Sequence, residues 1–324
     1  MKPSRKAIDK LKNLVPIYRN KYPYLSFSKL AKILIKEESI NIEYEYLRQL
    51  IPNVLMELRE SPKDVFSDEA DIVLPDSWYE ERKHYIIPSG VRKLLVIGDL
   101  HIPFHDVNSI KTALKYGEEK GVDGILLNGD VADAFAFSRF VKRPDLRRPK
   151  EELETVRTFL IKLREKYPSY KLFYKFGNHE DRFDRYVMEK AGDLWGLPGM
   201  NLRDLLGLDQ LRIEYIDERT VMEFGKLSII HGHEIWGGGI NVARNFRIKS
   251  RVSILFNHFH RHQIDVVPTL DNKHQGAWSI GCLCGLRPDY MPVNDWLHGC
   301  AIIERDKEGI FTVKNKQIMN GRII

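Results

Sequence analysis

Apolar residues recur at helical spacing near the start of the chain and switch to a strand-and-helix alternation further on. Residues 28–36, Ser-Lys-Leu-Ala-Lys-Ile-Leu-Ile-Lys, place Leu30, Ile33 and Leu34 on one helical face, with Ser28 as a candidate cap. A second helix is predicted from Ile42 to Leu58, after the polar turn Glu37-Glu38-Ser39-Ile40-Asn41. Such a pair could form a helix-turn-helix, although helix pairs joined by short turns are commonest as plain packing units. Residues 62–90 carry Pro62, Pro75, Pro88 and Gly90 among acidic clusters and keep no period, as a connector would. Beyond them, Lys93–Ile97 reads as a strand, Val107–Lys120 as a helix and Gly124–Leu127 as a strand. Glu151–Tyr167 then reads as a helix and Lys171–Phe176 as a strand. Shorter strands follow at Val221–Phe224, Leu227–Ile230, Gln263–Val267, Trp278–Cys282, Ala301–Glu304 and Ile310–Val313. The expected organisation is a helical module over 1–61, a linker over 62–90 and an α/β domain over 91–324. That domain would hold one large mixed sheet or two packed mixed sheets flanked by helices.

Charge sharpens the division. Residues 1–36 contain ten lysines and arginines against Asp9 alone, whereas the whole chain carries only +6, so the rest is net acidic. A basic N-terminal module points to an acidic partner, nucleic acid above all. No stretch approaches a membrane-spanning length of apolar residues, and no apolar signal core follows the basic N-terminus, so no membrane partner and a cytoplasmic location are expected. Cys282, Cys284 and Cys300 are too few for a disulfide framework and read as buried thiols rather than as a zinc site.

Three predicted strands end in residues that bind metals: Gly98-Asp99-Leu100-His101, Gly129-Asp130 and Gly177-Asn178-His179-Glu180. Strand ends are where α/β folds place their sites. His231-Gly232-His233 and His258-Phe259-His260-Arg261-His262 follow later in the chain. Carboxylate, amide and imidazole ligands from separate strands can surround a pair of divalent ions, with one carboxylate bridging them.

The order Asp-x-His, Gly-Asp, Gly-Asn-His-Glu, His, His-x-His resembles the calcineurin-like metallophosphoesterases over about residues 91–305. Ser138-Arg139-Phe140, Gly-Asn-His-Glu-Asp-Arg at 177–182 and Gly-Cys-Leu-Cys at 281–284 are similar to members from phages and prophages. The resemblance implies an αββα sandwich, activity as a phosphoesterase and two divalent ions, manganese first, with iron or zinc as alternatives. It implies that Asp99, His101, Asp130 and His260 hold the first ion, and that Asp130, Asn178, His231 and His258 hold the second. Asp130 would bridge them. Asn257 stands where the family has a glycine before its paired histidines, which leaves the alternative register His260-x-His262 open. His179 matches the family's non-ligand histidine and is the expected general acid, oriented by Asp99 or Glu180.

Arg139, Arg182 and Arg261 are candidate contacts to substrate phosphate and equally candidates for structural ion pairs. The run Arg139, Lys142, Arg143, Arg147, Arg148 and Lys150 is either a solvated loop or a phosphate-backbone contact. The functional expectation is a phosphodiesterase or nuclease acting on nucleic acid. One alternative is a protein or small-molecule phosphatase of the same superfamily. It is disfavoured because Ala134 and Phe135 follow Asp133 where Arg-Gly would stand. A second alternative is a DNA-binding protein with a vestigial metal site.

Overall fold

The computed structural model describes residues 5–22, 25–38, 42–60, 75–140, 148–271 and 273–324. The chain divides into two units, Met1–Glu80 and Glu81–Ile324.

Among its described residues the first unit has three helices, α1 (Arg5–Lys21), α2 (Phe27–Glu38) and α3 (Tyr44–Glu60). Leu11, Val15 and Tyr18 of α1 pack with Leu30, Ala31 and Leu34 of α2 and with Leu47, Ile51 and Val54 of α3. The sequence reading finds α2 and α3 and misses α1. Its apolar stripe, Ile8-Leu11-Val15-Tyr18, is interrupted by lysines and by Pro16, residues that read as solvated or helix-breaking. The start of α2 is also earlier than expected: the Ser26 hydroxyl, rather than Ser28, accepts from the Lys29 amide at 3.4 Å. Part of the expected turn, residues 39–41, lies outside the described residues.

In the second unit, four parallel strands form one side of a seven-stranded sheet, in the order β2 (Lys93–Ile97), β3 (Gly124–Asn128), β4 (Lys171–Lys175) and β5 (Ile213–Ile216), with β5 at the edge. Three antiparallel strands extend it beside β2, namely β11 (His298–Arg305), β12 (Phe311–Met319) and β13 (Arg322–Ile323). Helices α4 (Val107–Glu119) and α5 (Pro149–Lys166) make the crossovers between parallel strands. A six-stranded sheet has the order β1-β6-β7-β8-β10-β9. Its strands are β1 (Tyr85–Ile86), β6 (Met222–Phe224), β7 (Leu227–Ile229), β8 (Ile254–Phe256), β9 (Gln263–Pro268) and β10 (His274–Ser279).

The strict alternation of strand side chains builds the layers. Leu95, Ile97, Ile125, Leu127, Leu172 and Tyr174 face the helices, whereas Leu94, Val96, Leu126 and Phe173 face Phe224, Leu227, Ile229 and Leu255 of the other sheet. Burial on both faces is why β2 and β3 read as unbroken apolar runs. Helix α8 (Val242–Ser250) packs Val242, Ala243 and Phe246 on the outer face of the second sheet, against Ile254 and Phe256. Two packed mixed sheets flanked by helices are therefore observed.

The expected linker 62–90 is shorter at its distal end. Tyr85–Ile86 pairs with β6, and Arg305 donates to the Ile87 carbonyl, because the apolar Tyr85-Ile86-Ile87 triplet completes a sheet edge. The strand expected at Trp278–Cys282 begins at His274 and ends at Ser279. Gly281 bends away there, so close to the Leu297 carbonyl that a Cβ would lie 2.1 Å from it.

Candidate metal centre

Loops at the carboxyl ends of β2, β3, β4, β7 and β8 converge on one buried cluster. Asp99 and Asp130 face each other, with His231 Nε2 3.1 Å from Asp130 Oδ2 and 3.9 Å from Asp99 Oδ1. On the other side His260 Nε2 lies 3.6 Å from Asp99 Oδ1, and His101 Nε2 lies 3.1 Å from His260 Nε2 and 3.9 Å from Asp130 Oδ2. His258 joins Asp130 and His231 within metal-binding reach, and its amide donates to Asp99 Oδ2 at 2.9 Å.

Five of these residues adopt the left-handed backbone that L side chains avoid: Asp99 (φ 50°), His101 (49°), Asp130 (52°), His258 (71°) and His260 (59°). Each such residue costs of order 1–2 kcal/mol, so the cluster forms only because its surroundings enforce it. Glycine supplies space as well as turns. A Cβ on Gly129 (φ 86°) would sit 2.3 Å from His231 Nδ1, and one on Gly177 would sit 2.3 Å from Asp130 Oδ1.

Behind the cluster lies a network of buried polar side chains. The Glu180 carboxylate accepts from the amides of Asp130 (3.0 Å), Val131 (2.7 Å), Ala132 (3.0 Å) and Gly177 (2.7 Å), and from the Tyr174 hydroxyl (2.8 Å). His231 Nδ1 donates to the Asn128 carbonyl at 2.8 Å, which turns Nε2 toward the carboxylates. The Asn128 amide donates to Asn257 Oδ1 at 2.9 Å, tying the end of β3 to the end of β8. Lys175, fully buried, pairs at 2.9 Å with Glu234, whose other oxygen accepts from the Gly232 amide.

Electrostatics follow from this crowding. Burial opposes the charged forms, yet Asp99 and Asp130 are held below the usual carboxylate range by the surrounding imidazoles. Against the same burial, Asp130 pushes His231 up to about 10 and Asp99 pushes His260 up to about 10. Burial, with His231 beside it, pushes His258 down to about 4.

A calcineurin-like phosphoesterase family model matches residues 92–301. The chain belongs to that family. In this phosphoesterase, Gene 54 protein of Mycobacterium phage L5 is a relative, 28% identical over 185 residues that make up 53% of this chain and 71% of that protein. Similar solved structures include a Vps29 single mutant from Entamoeba histolytica (14% identity, 72% of this chain and 96% of that chain, TM-score 0.37). Yfce, a phosphoesterase from E. coli, is 12% identical (68% and 98% coverage, TM-score 0.32), and a dimetal phosphatase from Danio rerio is 10% identical (69% and 96%, TM-score 0.34).

The donor set suits the divalent ions on which the family depends. Among the described residues, buried Asp99 Oδ1, Asn178 Oδ1 and His231 Nε2 have no hydrogen-bond partner, an arrangement that costs stability in a dry site unless a ligand engages them. His260 turns Nδ1 toward the Cys284 thiol at 3.9 Å and Nε2 toward the carboxylates, so this buried thiol lies behind the imidazole. Among the described residues His262 joins none of the metal-capable groups. It is half-buried, with the Lys316 charge nearby.

The partner expected to orient His179 is neither Asp99 nor Glu180. His179 Nδ1 donates to the Asp133 carbonyl at 2.9 Å with Asp133 Oδ2 at 3.4 Å, because Glu180 is turned away and fully engaged by backbone donors. Asp133 also accepts from His101 Nδ1 at 2.9 Å. Arg182 reaches this corner and donates to His179 Nε2 at 2.7 Å. Arg139 is exposed, its guanidinium over the Phe140 ring, and Arg261 is engaged by Asp295 at 2.6 Å and by the Gly239 carbonyl. Of the basic run, Arg148 pairs with Glu151 and Lys150 with Glu154, whereas residues 141–147 lie outside the described residues. Sequence reading did not single out Asn128, Lys175 or Glu234. A lysine inside the apolar run Leu172-Phe173-Tyr174-Lys175-Phe176 is the signal, since a buried cation demands a buried partner.

Proposed function

We propose that this protein is a two-metal phosphodiesterase that cleaves nucleic acid. The observation that carries the reading is the pairing, in one chain, of a buried carboxylate–imidazole cluster with a helical unit whose first two helices are rich in lysine. Lys29 and Lys36 are exposed there, whereas Lys10 and Lys21 are drawn to Glu38 and Glu37 and Lys32 lies over the Tyr44 ring.

Asp99, His101, Asp130 and His260 would hold one ion, and Asp130, Asn178, His231 and His258 the other. When bound, the ions supply neutralisation of phosphate charge and acidification of water. The chain's own residues do the remainder. Arg182 can transfer its donors from His179 to a phosphate oxygen. His179, anchored through Nδ1, keeps Nε2 directed at the cluster, 3.8 Å from Asp130 Oδ2, where it can protonate a departing alkoxide. Burial opposes its charging and Arg182 adds to that opposition, yet Asp130 and Asp133 raise its pKa overall. The corner after Asp133 is apolar, with Phe135 stacked edge-on against Phe104 at 5.5 Å, which is unlike the arginine expected of a protein phosphatase.

Steady-state hydrolysis with manganese of phosphomonoesters, aryl diesters, cyclic nucleotides and nucleic acids tests the substrate class. Diester and nucleic-acid turnover should dominate, and a preference for monoesters would overturn the proposal. His179→Ala should retain its metal content and lose roughly 10²–10⁴ in rate, less with good leaving groups. Loss of metal would instead make His179 a ligand.

A further inference from the structure

The loop between β10 and β11 carries aromatic rings from the edge of the cluster into solvent. Trp296, half-buried, packs edge-on against the proposed ligand His260 with ring centroids 4.1 Å apart. Tyr290 stands 6.4 Å from Trp296 at 64° and is 78% exposed, so no core packing accounts for its ring. Burial, with Asp133 adding to it, pushes the phenol up to about 12, and Arg182 opposes this. Trp296 packs on His260, His260 lies 5.0 Å from His101 and His101 lies 4.3 Å from His179, ring centre to ring centre, so the loop borders the side of the cluster that carries His179, from which a leaving group would depart.

The loop presents these rings on a fixed scaffold. The Asn294 amide donates to the carbonyls of Leu286 and Met291 at 2.8 Å each, and its oxygen accepts from the Trp296 amide at 2.9 Å. Leu297 donates to the His260 carbonyl at 2.8 Å, so the loop is tied directly to the strand end that carries the ligand.

We propose that Tyr290 and Trp296 form a leaving-group subsite that takes a nucleobase by stacking. This rests on the phosphodiesterase reading. An exposed tyrosine ring standing edge-on to a half-buried tryptophan offers its own face to a nucleobase, because stacking contributes about 1–3 kcal/mol per base whatever the base. An alkyl alcohol would gain little from it.

The test uses the manganese-loaded full chain hydrolysing bis(p-nitrophenyl) phosphate, with adenosine 5′-monophosphate and inorganic phosphate as competing inhibitors. Wild-type enzyme should bind the nucleotide more tightly than phosphate. Tyr290→Ala should weaken inhibition by the nucleotide roughly 5- to 100-fold, the range that stacking energy implies. Inhibition by phosphate should stay at its wild-type constant, and Tyr290→Phe should keep the nucleotide preference. Equal weakening of both inhibitors would mean general disruption of the cluster and overturn the subsite, as would an unchanged nucleotide preference in Tyr290→Ala. Failure of wild-type enzyme to cleave any diester would sink the parent reading instead.

Discussion

In the N-terminal unit, Leu11, Val15, Leu30, Leu34, Leu47 and Ile51 fill the space between three helices, and no described non-glycine residue there has a positive φ. At the metal cluster, the buried residues include Asp99, Asp130, His231 and His260, and several are held in left-handed backbone. The first arrangement is stabilised wherever apolar area is removed from water and tolerates exchange of one apolar residue for another. The second is unfavourable residue by residue and persists because hydrogen bonds from neighbouring loops leave the backbone no alternative. A polar substitution of unchanged size should thus be severe in the cluster and mild in the helical unit.

The largest effect is expected at Asp130, the carboxylate that would bridge both ions under the proposed assignment. Asp130→Asn removes a charge without changing shape, so hydrolysis should be abolished and metal content should fall. Metal analysis and aryl-diester kinetics decide this together. Near-normal turnover with two ions bound would mean that the cluster has been assigned wrongly.

Glu180 tests the supporting network rather than the ligands. Glu180→Gln keeps the volume but replaces one acceptor oxygen by a donor, which then faces backbone amides. Metal affinity should drop roughly 10- to 100-fold, with thermal stability reduced as well. The corresponding exchange at an exposed site of the helical unit, Glu45→Gln, removes only an Arg48 surface pair and should cost well under about 1 kcal/mol. Equal effects at the two sites would erase the contrast between the regions.

The neighbouring histidines separate ligands from bystanders within one short segment. His258→Ala and His260→Ala should each deplete metal, while His262→Ala should leave it in place, because only the first two face the carboxylates. Metal loss in the His262 variant with a harmless His258→Ala would establish the other register.

How much of this could be read beforehand follows from what each region is made of. Strands β2 and β3 are legible because burial on both faces leaves an apolar run bounded by Gly98-Asp99 and Gly129-Asp130. The ligand motifs are legible because they sit where those runs stop. Helix α6 (Asp181–Lys190) and β8 are not: the former is masked by charge and the latter is three residues long beside a histidine cluster. The orienting role of Asp133 is hidden for a different reason. It acts partly through its backbone carbonyl, which any residue would offer, so residue type carried no signal. Asn257 shows the reverse. Its departure from the family glycine is plain in sequence, but its reason, an amide pairing with Asn128 against Gly98, exists only in three dimensions.

The smallest predicted effect concerns the helical unit itself. The division of the chain after Glu80 sets the cut, since β1 at Tyr85–Ile86 belongs to the catalytic sheet and must be retained. Deleting residues 1–80 should leave hydrolysis of a small aryl diester unchanged, because every proposed ligand lies beyond the cut. If the unit holds nucleic acid, the deletion should weaken binding and flatten its dependence on salt. Each phosphate neutralised on duplex DNA contributes about −0.9 to the slope of log affinity against log salt, so even two or three lysine contacts would be measurable. The two consequences must appear together, since both come from the same lysines. Salt titrations of full-length and shortened protein, each carrying Asp130→Asn to silence cleavage, compare them directly. An unchanged slope in a folded, shortened protein would confine nucleic-acid recognition to the cluster and its rim, and would withdraw the charge argument for a nuclease. A fall in the small-substrate rate would instead show that the helical unit supports the catalytic fold.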